Sequence, residues 1–431
     1  MRRGKIISIA LVIITLLGAV PARADNVPVA KSAIPTIISE SAVLMDADSG
    51  QVIYNKQMNK RQFPASITKI MTTYLGVEQG KLTDVMTVSE EAVDLVARNA
   101  SHIALTGGEK ITLEDALYGA MLVSANDACN VIAEHISGTI PEFTKLMTKR
   151  AQEFGAKDTN FDNTNGLLDD KHYTTAFDMA EITRHALKSP KWREIFGTLQ
   201  HNAPPNNKQK EVREFYNQHS MICSAKLRYP GIIGGKAGYT TAAKFTLVTA
   251  AERDGVTLIA VVMKSPRNND KYKDTKALFD YGFDNFEKKT IATGDVKIEN
   301  NGAEDKDGRK LDVTPGKGGV ISFLAPRGVD SAAMRAECTL PKVIESDEVL
   351  AHVYNVAGAE LGAFPIKIET AVAAVAEEPQ KEGVSIWNAV LITIGVIITL
   401  FLALIVFLYI RKKLYLRRRA QRRSASQRRR R

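Results

Sequence analysis

Apolar residues follow two different periods along the first two thirds of the chain. On both sides of the turn sequence Asp48-Ser49-Gly50, apolar and polar residues alternate, which predicts a β-hairpin over residues 41–55. From about Pro64 to Pro190, apolar residues recur at helical spacing instead, so this region is predicted to be mainly helical. Residues 162–173, near its end, are rich in Asn, Asp and Gly and are expected to form an ordered loop.

Strand patterns return after this region. Strands are predicted at Phe245–Ala251 and Val256–Met263 around a tight turn at Asp254-Gly255, and a helix is predicted at Asp274–Phe286. Strands at both sequence ends around a helical middle predict an α+β fold, in which one antiparallel sheet carries helices on both sides and a helical insert. Over residues 287–370, short alternating runs between Gly-rich and Asp-rich turns predict a small β-rich C-terminal domain.

Residues 1–24 have the layout of a secretory signal peptide. Basic residues precede the apolar stretch Ile6–Val20, and Ala22-Arg23-Ala24 places small residues two apart before Asp25. An uncleaved anchor is the alternative, but the apolar stretch is short for a bilayer span. We therefore expect an exported protein whose first globular domain covers residues 25–286.

Residues 387–410 are predicted to form one transmembrane helix. No charged residue occurs from Gly383 to Ile410, and a bilayer core requires about 20 apolar residues. Aromatic residues stand at both edges of the segment, where their rings favour the membrane interface. A buried core helix is the alternative, which the missing polar face disfavours. Residues 371–386 are interpreted as a linker.

The tail, residues 411–431, carries 12 Lys or Arg residues and no acidic residue. Residues 25–410 have a net charge of −6, although the whole chain stands at +10. A basic tail can indicate nucleic-acid binding, but beside a membrane span the positive-inside rule explains it more simply. We expect a single-pass protein of the cell membrane with an extracellular globular part. Its cytoplasmic tail would contact anionic headgroups and no nucleic acid.

The cysteines and histidines predict no metal site. Cys129, Cys223 and Cys338 form neither a C-x-x-C pair nor an even-numbered framework, and no H-E-x-x-H motif occurs among the seven histidines. Buried free thiols are therefore expected.

Ser66 and Lys69 form a Ser-x-x-Lys pair just after Pro64, a residue that suits a first helical turn. Three-residue spacing places both side chains on one helix face. A serine hydroxyl becomes a useful nucleophile when a base takes its proton, and a lysine can do this when burial or a second cation destabilises its ammonium. A helix N-terminus also supplies N–H groups for an oxyanion. Alone the pair is weak evidence, because a capping serine beside an exposed lysine has the same sequence.

Ser124 and Asn126 lie at a junction between two predicted helices, in the sequence Ser-Ala-Asn. Both residue types are favoured helix N-caps, which is the simpler interpretation. In the functional interpretation, Ser124 takes part in proton transfer to a leaving amine. Asn126 then hydrogen-bonds the substrate and the lysine.

Lys236 stands in Gly234-Gly-Lys-Ala-Gly-Tyr-Thr240, directly before the predicted strand pair. A phosphate-binding loop is excluded, because that motif requires Gly where Pro230 stands and Ser or Thr where Ala237 stands. The functional interpretation is a strand whose lysine attracts a substrate carboxylate and keeps Lys69 neutral by repulsion, with small neighbours that let a substrate backbone approach. A glycine-rich bend with an exposed lysine is the alternative.

In this order, the three motifs resemble the joint signature of penicillin-binding proteins and class A β-lactamases. The chain is similar in particular to the D-alanyl-D-alanine carboxypeptidases, the low-molecular-mass penicillin-binding proteins. The likeness is strong over residues 35–286, and residues 287–370 match the small β-rich domain of that family. It extends to Asn165-Gly-Leu-Leu-Asp-Asp-Lys-His and to Arg253-Asp-Gly-Val-Thr-Leu. The resemblance implies a β-lactamase/transpeptidase-like fold.

The resemblance also implies an activity. A serine-type carboxypeptidase would remove the terminal D-Ala from peptidoglycan stem peptides through an acyl-enzyme on Ser66, and β-lactams would acylate the same serine. Lys69 would accept the proton, Ser124 would relay it, and no metal or organic cofactor would be needed. His172 is expected to be structural. The implied substrate-binding residues are Asn126, Lys236, Gly238 and Thr240.

Three positions depart from the family pattern. Ala237 replaces the threonine of the usual Lys-Thr-Gly, Lys244 stands where the family usually has glycine, and Asn217-Gln-His-Ser stands where it often has Asn-Thr-Asn. The lost hydroxyl would remove a hydrogen bond to the substrate carboxylate worth roughly 1.5–3 kcal/mol. Weakened carboxylate recognition is expected unless Thr240 substitutes.

Other functions fit the same residues. A β-lactamase or an endopeptidase would use the same nucleophile, and a lactamase would add a carboxylate for deacylation, for which Asp162, Asp169 and Asp170 are available. A weakly active or inactive wall-facing scaffold is the non-enzymatic alternative. The intact motif residues argue against it.

Overall fold

The computed structural model of the protein describes residues 32–97, 99–355, 357–373 and 386–428. The predicted signal peptide lies outside the described residues, as does most of the predicted linker. The strands are β1 (Ser41–Asp46), β2 (Val52–Lys56), β3 (Val85–Thr87), β4 (Lys110–Thr112), β5 (Gln200–Ala203), β6 (Arg213–Tyr216), β7 (Ile232–Thr240), β8 (Lys244–Arg253), β9 (Val256–Ser265), β10 (Phe286–Ala292), β11 (Lys297–Glu299), β12 (Leu311–Pro315), β13 (Val320–Pro326), β14 (Arg335–Thr339), β15 (Glu348–Tyr354) and β16 (Glu360–Val372).

The helices follow the predicted order, most of them between β2 and β7. They are α1 (Lys69–Gln79), α2 (Glu90–Asp94), α3 (Leu113–Leu122), α4 (Asn126–Ser137), α5 (Ile140–Glu153), α6 (Ala176–Ala186), α7 (Pro190–Gly197), α8 (Ser220–Cys223), α9 (Asn268–Asn285) and α10 (Ile386–Arg428). Short 3₁₀ turns occur at Ala65–Thr68, Thr293–Asp295 and Ser331–Ala333.

A five-stranded antiparallel sheet in the order β2-β1-β9-β8-β7 forms the centre of the first part of the chain. Strand β1 lies between β2 and β9, so both sequence ends of this region build the sheet, as predicted. Asp254 and Gly255 turn the chain from β8 to β9 with φ angles of 53° and 73°, the left-handed geometry that a tight hairpin requires.

Side chains of this sheet alternate between two cores. Val43 and Met45 face a core shared with the helical insert, α1 and α3 to α7, whereas Ala42 and Leu44 face α9. Because helices cover both faces, every residue of β1 is buried. The predicted α+β fold, with helices on both sides and a helical insert, is confirmed.

Two predicted helix starts are wrong. The segment after Pro64 first forms the 3₁₀ turn Ala65–Thr68 and becomes α-helical at Lys69. Helix α9 begins at Asn268 rather than Asp274. Its first turns are mostly polar and carry little apolar periodicity, and the buried Tyr272 fixes them on the sheet instead.

Strands β10 to β16 form the small β-rich C-terminal domain that the sequence predicts. Strand β10 pairs with β13, and a second five-stranded sheet has the order β11-β14-β15-β16-β12 with a parallel β11–β14 pair. Phe323, Val353 and Phe364 belong to its separate core. The Gln51 side chain, between β1 and β2, donates from Nε2 to the carbonyl of Leu324 on β13 at 2.9 Å. This bond joins the central sheet to the β10–β13 pair.

Helix α10 is 43 residues long. Its segment Trp387–Arg419 contains an 18-residue window with a mean hydropathy of 3.1 and is long and apolar enough to cross a membrane. The helix continues beyond the apolar stretch into the basic tail, as far as Arg428.

The cysteines differ from expectation at one position. Cys129 and Cys338 are buried, but Cys223 is exposed, so the expectation of buried thiols is wrong there. Cys223 is the last residue of the short helix α8, where the chain runs along the surface.

Candidate active site

Ser66 and Lys69 meet because of the 3₁₀ turn between Ala65 and Thr68. Such a turn has about three residues, so side chains three apart lie one above the other. The Nζ of Lys69 lies 3.1 Å from the Oγ of Ser66. Ala65 adopts φ +52°, a strained value for a residue with a Cβ. Gly166 packs directly against this turn, because an added Cβ at Gly166 would lie 1.9 Å from the Ala65 carbonyl oxygen.

The amine of Lys69 is fully buried and surrounded by oxygen atoms. In addition to its contact with Ser66, it donates to Oδ1 of Asn126 and to the backbone carbonyl of Asn165, each at 2.7 Å. Burial lowers the pKa of Lys69 to about 8, because a charged amine is costly away from water.

Ser124 and Asn126 come from the junction between α3 and α4. The N-cap position of α4 is held by Ala125, so neither predicted capping role applies. Ser124 adopts φ +62°, and its buried Oγ makes no hydrogen bond to any other described residue. Both side chains are buried, at 5% and 4% exposure, and Asn126 contacts the Lys69 amine.

Lys236 lies on β7, an edge strand of the central sheet. It is buried at 3% exposure. Burial first, and then repulsion from Lys69, lower the pKa of Lys236 to about 7. Repulsion between the two lysines therefore acts on Lys236, whereas the low pKa of Lys69 comes from burial.

Gly238 lies where β7 contacts the 3₁₀ turn Ala65–Thr68. A Cβ at this position would lie 2.7 Å from the backbone nitrogen of Ser66 and 2.5 Å from Oγ1 of Thr246. The position therefore requires glycine, and the lack of a side chain lets the strand edge approach the Ser66 N–H.

Thr240 does not join the other site residues by a hydrogen bond. It ends β7, and its Oγ1 accepts from the backbone N–H of Ala243 at 3.0 Å, so it caps the β7–β8 turn. Lys244, the first residue of β8, adopts φ +53°, which explains why glycine is usual there. Ala237 pairs with Leu247 on β8 and is half-buried.

Three further groups near these residues belong to none of the sequence motifs. The backbone carbonyl of Asn165 carries no side-chain signal. Lys271 is buried between the rings of Phe245 and Tyr272, with Nζ at 5.2 and 5.0 Å from their centroids, and burial lowers its pKa to about 8. His219 is buried against β7, with Nε2 2.9 Å from Oγ1 of Thr249. Among the described residues, no group of three or more His, Cys, Asp or Glu is placed to hold a metal ion.

Comparison with known proteins identifies the family to which these motifs and this fold belong. Residues 28–267 match the family profile of D-alanyl-D-alanine carboxypeptidases. The chain is 32% identical to the D-alanyl-D-alanine carboxypeptidase DacF of Bacillus subtilis, over 80% of this chain and 85% of that one. It is 34% identical to DacA of Haemophilus influenzae, over 60% of this chain and 66% of that one.

Solved structures agree. The fold is similar to penicillin binding protein 5 from Haemophilus influenzae, with a TM-score of 0.63 and 27% identity over 78% of this chain and 98% of that one. It is also similar to the Streptomyces K15 DD-transpeptidase, with a TM-score of 0.55 and 29% identity over 58% of this chain and 99% of that one. Fold and motifs together define a penicillin-interacting serine peptidase. More narrowly, the chain belongs to the D-alanyl-D-alanine carboxypeptidase family and is a serine-type enzyme of that family.

Proposed function

We propose that Ser66 is the nucleophile and Lys69 the base that takes its proton. The contact of 3.1 Å between the two side chains carries this proposal. The partners of Nζ determine which way the amine points. The carbonyl oxygens of Asn126 and Asn165 can only accept, so they take the two N–H groups of a neutral amine. The lone pair is then directed at the Ser66 hydroxyl.

The acyl transfer follows from this arrangement. The Ser66 Oγ bonds to the carbonyl carbon of the penultimate D-Ala while Lys69 takes the hydroxyl proton. The Ser66 N–H, beside the edge of β7, helps hold the oxyanion. When the C–N bond breaks, the leaving D-alanine amine takes a proton through Ser124. Its buried Oγ makes no hydrogen bond among the described residues and is free for this relay. Water then hydrolyses the ester and restores Ser66.

Substrate recognition is proposed along β7. Lys236 attracts the terminal carboxylate, and Asn126 holds the substrate amide. Gly238 admits the peptide backbone. A carboxylate beside Lys236 raises the pKa of that lysine, and its charge then disfavours a proton on Lys69. Thr240 is a weaker candidate for the carboxylate, because its oxygen already accepts from the turn.

Peptidoglycan stem peptides ending in D-Ala-D-Ala are the proposed substrates, and β-lactams the proposed acylating inhibitors. We further propose that residues 1–24 are a cleaved signal peptide and that residues 25–286 form the peptidase domain. Residues 371–386 then lead to a membrane helix at residues 387–410. The basic residues after the span favour a cytoplasmic tail and an extracellular catalytic domain.

The test is release of D-alanine from a D-Ala-D-Ala peptide by wild type and Ser66→Ala. We expect release by wild type and none above background from Ser66→Ala. Equal release by both proteins would exclude Ser66 as the nucleophile. Cleavage of peptide cross-links without release of D-alanine from free peptide ends would indicate an endopeptidase.

A further inference from the structure

His172 connects two parts of the active site that are far apart in sequence. It is 1% exposed. Its Nδ1 accepts the backbone N–H groups of Asp162 and Asn163 at 3.0 and 3.3 Å, and its Nε2 lies 2.8 Å from Oγ1 of Thr68. Because backbone N–H groups only donate, Nδ1 is unprotonated, and the ring proton on Nε2 is donated to Thr68.

Thr68 and the 162–166 loop both contact the catalytic pair. Thr68 lies in the 3₁₀ turn directly before Lys69. In the loop, Oδ1 of Asn163 accepts from the backbone N–H of Gly166 at 2.7 Å and of Asn165 at 3.2 Å. These bonds present the Asn165 carbonyl to the Lys69 amine at 2.7 Å.

We propose that His172 is a positioning residue. By accepting the N–H groups of Asp162 and Asn163 at Nδ1, it clamps the 162–166 loop and holds the Asn165 carbonyl in place, which directs the lone pair of neutral Lys69 at Ser66. The contact of Nε2 with Thr68 fixes the ring itself. The proposal rests on Lys69 acting as the base. Removal of the clamp lets the Asn165 carbonyl move, and the amine then loses one of its two acceptors.

The surroundings keep the ring neutral. Burial lowers the pKa of His172 to about 4. The charged groups that act on it are Asp169 in the same loop, which favours protonation, and Lys69, which opposes it. The clamp therefore persists over the pH range in which Lys69 titrates.

Two amide substitutions separate the contact of Nδ1 with the 162–166 loop from the contact of Nε2 with Thr68. In His172→Asn, the side-chain carbonyl can replace Nδ1 and accept from the loop, whereas in His172→Gln the side-chain N–H replaces Nε2 and reaches Thr68. His185 supplies a matched control. It is half-buried and stacks on Phe154 at 4.3 Å, and its ring accepts no hydrogen bond from the 162–166 loop.

The experiment measures kcat and KM for a D-Ala-D-Ala peptide and the acylation rate with penicillin in the full chain. Rates are divided by the number of sites that penicillin finally labels, so unfolded protein does not count. We expect His172→Gln to lose about tenfold or more in kcat and acylation rate with KM within about twofold. His172→Asn should stay within about threefold of wild type, and His185→Gln should match wild type.

Three results would overturn the proposal: equal losses in the two His172 variants, wild-type rates in both, or a larger loss in His172→Asn. If neither variant folds, ¹⁵N NMR of the imidazole in wild type decides, since a proton on Nδ1 is incompatible with the clamp. Absence of a penicilloyl adduct on wild-type Ser66 would instead refute the proposed function itself.

Discussion

The amine of Lys69 has three hydrogen-bonding neighbours, a hydroxyl and two carbonyl oxygens, and the residue is fully buried. Burial lowers its pKa to about 8, so its neutral fraction rises as the pH increases through that value. At the residue scale, this makes the rate of acylation a direct report on one amine.

The first prediction concerns pH. If the neutral amine of Lys69 is the base, the rate of acylation by penicillin should rise about tenfold per pH unit below its pKa and level off above it. Stopped-flow measurement with a chromogenic β-lactam between about pH 5 and 9 tests this. A rate that does not change on the acid side would exclude Lys69 as the base.

The second prediction concerns Ala237. In the proposed carboxylate site along β7, a threonine there adds a hydroxyl beside the substrate carboxylate, and a hydrogen bond to a charged group contributes roughly 1.5–3 kcal/mol. We expect Ala237→Thr to raise kcat/KM for a D-Ala-D-Ala peptide by about 10- to 100-fold. An unchanged kcat/KM would show that Lys236 and its neighbours already provide full carboxylate recognition.

At the element scale, the site depends on close contact between β7 and the 3₁₀ turn. Gly238→Ala places a Cβ within 2.7 Å of the Ser66 nitrogen, so either the strand or the turn must move. A displacement near 1 Å can lower a rate by about 100-fold, so we expect acylation to fall by about that factor while the protein still folds. The measurements are the acylation rate and the thermal unfolding midpoint.

Gly294→Ala is the matched control, because an added Cβ there meets no atom within 4 Å. Its acylation rate should equal that of wild type. Wild-type acylation by Gly238→Ala would mean that the contact between β7 and the turn does not position the nucleophile.

The elements differ in how far the sequence predicts them. The hairpins and the helical middle follow from local period and turn residues, which act within a few neighbours. The 3₁₀ turn could not be predicted, since it depends on Gly166 and Gly238, both distant in sequence, packing against Ala65 and Ser66. For the same reason, the Asn165 carbonyl and the buried Lys271 were missed, while the three motifs named the side chains around Ser66.

At the scale of the whole molecule, we propose that catalysis and anchoring are carried by different parts of the chain. A protein ending at residue 373 lacks α10 but keeps both five-stranded sheets. We predict that this truncation moves the protein from the membrane to the soluble fraction and leaves the acylation rate unchanged. Membrane retention of the shortened chain would exclude α10 as its sole anchor.

Orientation can be tested on the intact chain. If the basic tail is cytoplasmic, protease added outside intact cells should remove the catalytic domain and spare an epitope placed after Arg431. Loss of the epitope without permeabilisation would reverse the proposed topology.

The central claim is a covalent intermediate on one serine, and mass spectrometry of the intact protein tests it most directly. After incubation with penicillin, wild type should gain the mass of one penicilloyl group, mapped by digestion to Ser66, and should lose it slowly. Ser66→Ala should gain none. Rapid loss of the adduct would identify a β-lactamase, and an adduct on Ser66→Ala would contradict the account.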